Sequence, residues 1–392
     1  MGVMRSLVER RSVAASSMWG TWPGDKVNGT WSGANVTNES SMQLLTVYGC
    51  VRLISDAIAT LPIDVYRRDA SGDQIEVSPP YWLTAPKAGL DRVAWLTQIL
   101  TSLLIDGNAY IAVLYDAAGR IVSLDPLDPA TVDVRLEDSR RVYYVNGQRA
   151  TVQIVHVTGM MWPGALKGMS PVEAARQSIG IGMSTQEFAA KFFDQGATMS
   201  GVIEVPGELN PTLARDLAKQ WSRFHGGAKK AHLPGVLQGG ATWKTTGVTN
   251  EQAQFLETRK FTAAEIAGQM FLVDPSDLGI PGDKGSSITY ANLEQRNTRR
   301  VQVTFLPWII RIENALSALL AQPRYVKFNV NGLLRGDLKT RYETYALAET
   351  INASAFTRGE PPLMPTAQMR ELEDFSPIAN TANTAVDGAN AV

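Results

Sequence analysis

The chain has 392 residues, of which 44% are apolar and 19% charged, so it is long enough for about two or three structural units with a sizeable core. Its 37 basic and 38 acidic residues leave a formal charge of -1, which argues against a protein that grips nucleic acid by charge. Cys50 is the only cysteine, which excludes an intrachain disulfide, and we interpret it as a buried structural thiol. No apolar run reaches the roughly 18 residues of a membrane span, so we expect neither membrane association nor export.

The N-terminal part of the chain predicts an irregular arm followed by a mixed α and β unit. Most of residues 1–40 mix Ser, Thr, Gly and Asn without periodicity, and the tryptophans of this arm either dock on a neighbouring subunit or pack on their own domain. Apolar residues at helical spacing predict helices over 41–61 and 91–105. Short strands with turn signals follow, and the pair Asn146 and Gly147 predicts a hairpin because both residues tolerate positive φ.

A further helix begins at the clearest start signal of the chain. Ser170 as the cap, Pro171 at the first helical position and Glu173 as the partner in a capping box predict a helix of about 26 residues. Gly180 and Gly182 lie inside this helix, and each costs on the order of 1 kcal/mol relative to Ala. We therefore expect another backbone to press against the helix at these glycines.

A second long helix, 250–271, is predicted after a small stretch of strands and one helix. The apolar side chains of this helix form a narrow stripe that consists of Leu256, Ala263, Ala267 and Met270. A stripe this narrow indicates that other elements pack on the flanks of the helix. A loop of Asp, Pro, Gly and Ser follows over 273–287. The next helix starts polar, and Pro307 should bend it because proline removes a backbone donor. The apolar second half of that helix presents one face: Ile309, Ile312, Leu316 and Leu319.

Seven stretches of the chain carry a shared signature: TVYGCVRLISDAIATLPIDVYRR (46–68), LLIDGNAYIAVL (103–114), LDPLDPATVDV (124–134), VHVTG with GMSPVEAARQSIG (155–180), FFDQGATMSGVIEVPG (192–207), QFLETRKFTAAEIA (254–267) and NVNGLLRGDLKTRYE (329–343). In this order and spacing they resemble the portal proteins of tailed bacteriophages with siphophage-type heads. The resemblance covers roughly residues 46–345. It implies an α+β portal fold that assembles as a ring.

The resemblance also implies a division of the chain. The expected parts are an irregular arm at 1–40, an α/β wing at 41–169, a first stem helix at 170–197, a small α/β clip at 198–248, a second stem helix at 249–272, a tunnel loop at 273–287, a wing return helix and strand at 288–335, a short helical crown at 336–375 and a flexible tail at 376–392. The proline spacing of the crown differs from the usual ending of the family.

The function implied by the resemblance is that of a dodecameric ring at one capsid vertex. Double-stranded DNA would pass through it during packaging and ejection without sequence specificity, and the terminase large subunit, a head-tail adaptor and the major capsid protein would be its partners. We expect the protein to reside in the virion, at the portal vertex, after assembly in the host cytoplasm. The implied role is structural, so we expect no enzyme activity, no metal and no cofactor.

Two groups of residues are the candidate sites. The first group consists of tunnel-loop residues that would face the channel: Asp274, Asp277, Asp283, Lys284, Ser286 and Ser287. There the acidic side chains would repel phosphate, while Lys and Ser would make brief phosphate contacts. Clip residues would contact the packaging motor: Trp221, Lys229 and Lys230. A core position on the clip helix is the competing interpretation of Trp221.

Two alternatives to a portal stay open. One is another ring or shell component of a phage-like or gene-transfer particle, and the other, less favoured, is a DNA-processing enzyme. The magnesium ligands of such an enzyme would be Asp125 with Asp128, or Asp274, Asp277 and Asp283. Aspartates among prolines and glycines are common turn formers, and the sequence has neither a phosphate-binding loop nor zinc-ligand spacing.

Overall fold

The computed structural model describes residues 29–69, 72, 74–194, 201–204, 210, 212, 215, 216, 219, 242–245, 249–280, 290–334 and 338–373. Its helices are α1 Asn38–Ser41, α2 Leu45–Ala59, α3 Tyr81–Thr84, α4 Arg92–Ile105, α5 Pro171–Ala174, α6 Arg176–Asp194, α7 Thr249–Glu265, α8 Tyr290–Arg299, α9 Leu306–Ser317, α10 Asn331–Leu334, α11 Leu338–Thr357 and α12 Thr366–Leu372. Its strands are β1 Ile63–Arg68, β2 Gln74–Val77, β3 Asn108–Tyr115, β4 Ile121–Leu127, β5 Val132–Glu137, β6 Arg140–Val145, β7 Gln148–Arg149, β8 Gln153–Thr158, β9 Gly201–Glu204, β10 Thr242–Thr245 and β11 Arg324–Phe328. This mixture of helices and strands confirms the predicted α+β class.

Two compact units divide the chain. The first contains Met1–Thr289 with Thr298–Val330, and the second contains Tyr290–Asn297 with Asn331–Val392. In the second unit, α11 and α12 are joined by a turn that Asn352 closes, since its amide donates to the carbonyl of Met364 at 2.6 Å and accepts from the Met364 N–H at 3.2 Å. The Tyr345 hydroxyl donates to Glu373 at 2.8 Å, which ties the two helices a second time.

Helices α2 and α4 supply much of the core of the first unit. The predicted face of α2 is buried, and Cys50 lies within it, where burial raises the pKa of the thiol to about 12. The prediction of a structural thiol is therefore confirmed. Helix α4 begins at Asp91, whose carboxylate accepts from the Ala94 N–H at 2.6 Å, and the buried indole of Trp95 donates to the carbonyl of Leu124 at 2.7 Å.

The strands form four antiparallel sheets, in the orders β11-β1-β2, β4-β3-β8, β5-β6-β7 and β10-β9. The predicted hairpin is confirmed, because Asn146 and Gly147 have φ values of 50° and 77° between the paired ends of β6 and β7. The turn between β5 and β6 uses the same backbone region with Asp138 and Ser139, at φ 46° and 64°. Glycine is absent from that second turn, so its sequence carries a weaker hairpin signal.

A buried aromatic and polar cluster lies on β3 and β8. The ring of His156 stacks on Tyr110 with centroids 4.3 Å apart, and Tyr143 meets it edge-on at 5.7 Å. The oxygen of the Asn108 amide lies 3.1 Å from His156 Nε2, and the Asn108 nitrogen donates to the carboxylate of Asp106. Since the amide nitrogen is the donor, its oxygen accepts, and His156 carries its proton on Nε2.

Three glycines bring the end of α4, the end of β8 and the approach to α5 into contact. Gly107 has φ 79°, and a Cβ atom on it would lie 2.0 Å from the carbonyl oxygen of Met169. A Cβ on Gly168 would lie 2.2 Å from the carbonyl oxygen of Gly107, which also accepts from the Gly159 N–H at 2.8 Å. Glycine at position 107, just after α4, therefore has a packing reason beyond its positive φ. We call this contact the glycine crossing.

The predicted helix after Ser170 is present in two parts. Ser170 Oγ accepts from the Glu173 N–H at 3.1 Å, and the helix departs from ideal geometry at Ala175, where ψ is 11°. Two hydrogen bonds of the α-helical type span this point: the Ala175 N–H donates to the carbonyl of Pro171, and the Ile179 N–H donates to the carbonyl of Ala175. The distortion is local, and the predicted stop at Gly196 lies outside the described residues.

The two glycines inside α6 do mark close approaches, but the neighbours are side chains rather than another backbone. A Cβ on Gly180 would lie 2.6 Å from Thr30 Cγ2, and one on Gly182 would lie 3.0 Å from Leu44 and 3.6 Å from Thr262. The expectation of a second backbone was therefore wrong in its detail. Threonine and leucine at these points fill the space that the missing Cβ atoms leave.

Helix α7 also departs from the predicted stripe. Its last residues continue into a π-helical turn, Ile266–Met270, and the residues buried along this stretch are Thr262, Ile266 and Ala267. The predicted positions Ala263 and Met270 are only half-buried. A π turn places one extra residue in the helix, so the face computed from a 3.6-residue period shifts where the turn begins.

Candidate functional site

Residues 271–280, which form the first part of the predicted tunnel loop and its approach, are the candidate site that the structure describes. We call them the loop root. Two π-helical turns lie on either side of it in the chain, Ile266–Met270 before it and Arg300–Phe305 after it. The predicted channel residues Asp283, Lys284, Ser286 and Ser287 lie outside the described residues, as do the predicted clip residues Trp221, Lys229 and Lys230.

The loop root leaves α7 through a buried pair of side chains. Phe271 and Val273 are buried, while Leu272 between them has φ 55° and an exposed side chain. The carbonyl of Leu272 accepts from the hydroxyl of Thr304 at 2.6 Å, and the Val273 N–H donates to the carbonyl of Ala267 at 2.9 Å. Hydrogen bonds from both sides therefore hold a residue whose backbone conformation is unfavourable for a leucine.

Asp274 shapes the next turn. Its carboxylate accepts from the N–H of Ser276 at 3.0 Å and from the Ser276 hydroxyl at 2.7 Å, which caps the short 3-10 helix Pro275–Leu278. Gly279, with φ 71°, ends that helix. Asp274 is exposed, so it combines a turn-forming role with a position at the surface.

Asp277 forms a bidentate ion pair with Arg300. The guanidinium Nε lies 2.8 Å from Asp277 Oδ2, and Nη2 lies 2.6 Å from Oδ1. The carboxylate side chain is only 11% exposed and the arginine side chain 33% exposed. The two charges cancel at short range, so Asp277 contributes to holding the loop root more than to the acidic surface of the loop.

Helix α2 touches the loop root on a further side. The position that a Cβ atom of Gly49 would take lies 3.3 Å from Leu278 Cδ2. Alanine at Gly49 would require the Leu278 side chain to shift by a few tenths of an ångström. The loop root is therefore packed on α2 as well as bonded to the second π turn.

Sequence reasoning missed the partners of this site. Arg300 and Thr304 follow their partners in the chain by 23 and 32 residues, and both lie in a helix whose period the π turn interrupts. The one available signal was the Arg299-Arg300 pair at the end of the polar half of that helix. A π turn ends immediately before Leu306, next to Pro307, where the sequence predicts a bend.

The other candidate magnesium ligands also have structural contacts. Asp125 accepts from the hydroxyl of Ser123 and lies 3.4 Å from the ammonium of Lys87, and Asp128 caps a 3-10 turn through the Ala130 N–H at 3.0 Å. Among the described residues, no group of three or more His, Cys, Asp and Glu side chains is arranged to hold a metal ion. Their arrangement gives the enzyme hypothesis no support.

The end of the N-terminal arm packs on its own chain. The Trp31 N–H donates to the side-chain oxygen of Gln177 at 3.1 Å, and the Ser184 hydroxyl donates to the carbonyl of Ser32 at 3.3 Å. The indole of Trp31 nevertheless remains 82% exposed. The remaining tryptophans of the arm, Trp19 and Trp22, lie outside the described residues.

Comparison with known proteins gives a family for most of the chain. The model of the family described as phage portal protein matches residues 45–360. The chain is 33% identical over 340 residues to a probable portal protein of Streptomyces phage phiC31, covering 81% of this chain and 73% of that protein. It is 30% identical over 360 residues to the portal protein of Enterobacteria phage HK97, covering 84% of this chain and 82% of that protein.

Solved structures show the same fold. The chain is similar to a chain of the neck of a native gene transfer agent particle computed with C12 symmetry, with a TM-score of 0.58 at 22% identity over 94% of this chain and 100% of that chain. It is also similar to an HK97 family phage portal protein from Corynebacterium diphtheriae, with a TM-score of 0.54 at 14% identity over 76% of this chain and 96% of that chain. Across the part of the chain that the structure describes, no helix is long and apolar enough to span a membrane.

Proposed function

Because the chain belongs to the phage portal protein family, we propose that it forms a dodecameric ring at one vertex of a capsid and that double-stranded DNA enters and leaves through this ring. The observation that carries the proposal is the extent of the family match, which runs from α2 to the end of α11. A match of this length includes both π turns and the loop root. The protein would reside in the virion after assembly in the host cytoplasm.

In this proposal the tunnel loop provides a surface that DNA slides past. Asp274 and Asp283 would repel phosphate, and Lys284, Ser286 and Ser287 would make short-lived contacts to the backbone without reading sequence. Asp277 would belong to the loop root that supports them, since Arg300 already compensates its charge. The near-neutral composition of the chain supports loose contact, because tight DNA binders carry an excess of basic residues.

The energy for packaging would come from a separate protein. We propose that the terminase large subunit docks on the clip, with Trp221, Lys229 and Lys230 as contact residues, and that a head-tail adaptor later takes its place. The major capsid protein would surround the ring. No enzyme activity is part of this role, and the carboxylates considered as magnesium ligands have the structural contacts described above.

A second candidate is the same role in a gene transfer agent particle. The likeness to the neck chain of such a particle favours it. Imaging of particles purified from the producing cells, with sequencing of the DNA they carry, separates the two cases. A phage particle would carry one defined genome, whereas a gene transfer agent would carry random host fragments.

Native mass spectrometry of the purified chain, followed by electron microscopy, tests the ring itself. A subunit interface that closes on itself gives one dominant oligomer size, so we expect a single ring species of twelve copies with an axial hole, the number being that of the family. A protein that stays monomeric at high concentration would contradict the proposal. Turnover of ATP or DNA with magnesium that is lost in Asp274→Asn or Asp125→Asn would revive the enzyme alternative.

A further inference from the structure

Two contacts tie the loop root to the chain that follows the loop. The Thr304 hydroxyl binds the carbonyl of Leu272, and the Arg300 guanidinium binds the carboxylate of Asp277 through both oxygens. Arg300 and Thr304 lie four residues apart in one π turn and so present their side chains to the same side. The chain before the loop and the chain after it are thereby joined at two points within one short stretch.

We propose that Asp277 and Arg300 are positioning residues for DNA passage: their ion pair holds the loop root against the second π turn and so fixes the point at which the tunnel loop leaves the subunit. This inference rests on the proposed portal function and names the residues that the function needs away from the DNA. Neither residue contacts DNA in this role. Their contribution is to keep the loop root in one place while a highly charged polymer moves past.

The geometry suits this role better than a general contribution to stability. Exposed ion pairs contribute little because water and salt screen them, whereas Asp277 is almost enclosed and both of its oxygens are bonded. A bidentate pair also fixes orientation, which a single contact cannot do. Lysine could supply the charge at position 300 but not the planar pair of donors.

The pair is also protected from the passing phosphates. Arg300 directs two of its N–H groups to Asp277, so its charge is satisfied within the protein. An unpaired arginine at this place would be free to bind phosphate and would be drawn out of the root. The pairing of Arg300 with Asp277 therefore keeps the loop root in place when the phosphates of passing DNA attract the arginine most strongly.

The test compares Arg300→Met with Arg52→Met in the complete chain. Arg52 forms an exposed ion pair with Asp56 at 3.4 Å and provides the same loss of charge at a surface site. We expect both variants to form the wild-type ring. In Arg300→Met alone, amide hydrogen exchange of the peptide covering 271–280 should accelerate by about tenfold or more, because an almost enclosed carboxylate loses its bidentate contact to Arg300.

The second readout is the fraction of DNA-filled particles formed when the genome that encodes the chain carries each variant. We expect a decrease of about tenfold for Arg300→Met, an intermediate decrease for Arg300→Lys and no decrease for Arg52→Met. The double variant Asp277→Leu with Arg300→Met removes both charges together with the two directed hydrogen bonds, so filling should stay about as low as in Arg300→Met.

Three results would overturn the inference. They are wild-type exchange and filling in Arg300→Met, a double variant that fills like the wild type, and loss of the ring in Arg300→Met. The second result would trace the defect to an uncompensated carboxylate at Asp277, and the third would make the pair a requirement of folding. Failure of the portal function itself gives a different result. Wild-type rings would then be dispensable for filling, whatever the exchange data show for the ion pair.

Discussion

His156 is a residue whose environment fixes its charge. Its ring lies between Tyr110 and Tyr143, Nε2 is bonded to Asn108, and Nδ1 is buried without a hydrogen-bond partner among the described residues. Burial, with the nearby charges of Arg141 and Lys167, lowers the pKa of His156 to about 3. A second proton would have to sit on Nδ1, where nothing accepts it.

This histidine should make the first unit sensitive to acid. The pKa of an unfolded histidine is about 6.5, so below that pH the unfolded chain takes up a proton that the folded chain refuses until about pH 3. The stability present above pH 6.5 is therefore lost as the pH falls, by roughly 2 kcal/mol at pH 5. Thermal unfolding at pH 7 and pH 5 would measure this loss in the wild type.

The control is His156→Gln, which keeps a donor for Asn108 but does not titrate. Its melting temperature should change less between pH 7 and pH 5 than that of the wild type. Equal changes in the two proteins would show that carboxylates elsewhere cause the acid sensitivity. Sequence alone could not reveal this state of His156, because its partners come from β3, β6 and the segment before α5.

At the scale of elements, local signals predicted the regular parts of the fold and failed where distant segments meet. Apolar periodicity was sufficient for α2 and α4, and turn residues were sufficient for the Asn146-Gly147 hairpin, since each depends on residues close in sequence. The stripe predicted for α7 is buried at Ala267 but only half-buried at Ala263 and Met270, and a π turn changes the helical period from Ile266 onward. The ion pair of the loop root joins residues 23 positions apart, and no local pattern encodes such a distance.

The glycine crossing allows a direct measurement of what such a contact requires. Gly107→Ala would introduce a methyl group at 2.0 Å from the carbonyl oxygen of Met169, in a backbone region that already disfavours alanine. Gly119→Ala is the matched control, since Gly119 has φ 76° and nothing within 4 Å of the added Cβ. We expect Gly119→Ala to lower the free energy of unfolding by about 1 kcal/mol.

Gly107→Ala should lower the free energy of unfolding by at least about 3 kcal/mol, or prevent folding, because the backbone of Met169 must move. Urea unfolding of both variants gives the comparison. Similar losses in the two variants would mean that positive φ alone explains the choice of glycine at position 107. The close approach would then have no energetic role.

At the scale of the whole molecule, the balance of charges distinguishes a ring through which DNA slides from a protein that binds DNA tightly. The chain carries 37 basic and 38 acidic residues, so the ring proposed above would surround DNA without a large positive net charge. We expect the purified protein to retain little linear double-stranded DNA in filter binding at about 150 mM salt, as in other weak non-specific binding. Tight retention with a steep dependence on salt would contradict this prediction.

Family and fold could be predicted at this scale because the signature stretches are spread over most of the chain. Each stretch consists of residues that are close in sequence and belong to one local part of the fold. The candidate channel and clip residues were chosen by chemical type within a loop and an insert, where spacing says little about geometry. Asp274 and Asp277 illustrate the difference. The sequence shows two equivalent aspartates, whereas the structure makes one a cap at the surface and the other a buried partner of Arg300.

The glycine crossing also bears on how such a chain can diverge over generations. The carbonyl oxygens of Met169 and Gly107 lie where Cβ atoms on Gly107 and Gly168 would have to be. A side chain at either position would displace the opposing backbone, so each glycine is needed for as long as the approach to α5 keeps this route. A relative that carries a side chain at either position should therefore bring this segment past the end of α4 along another path.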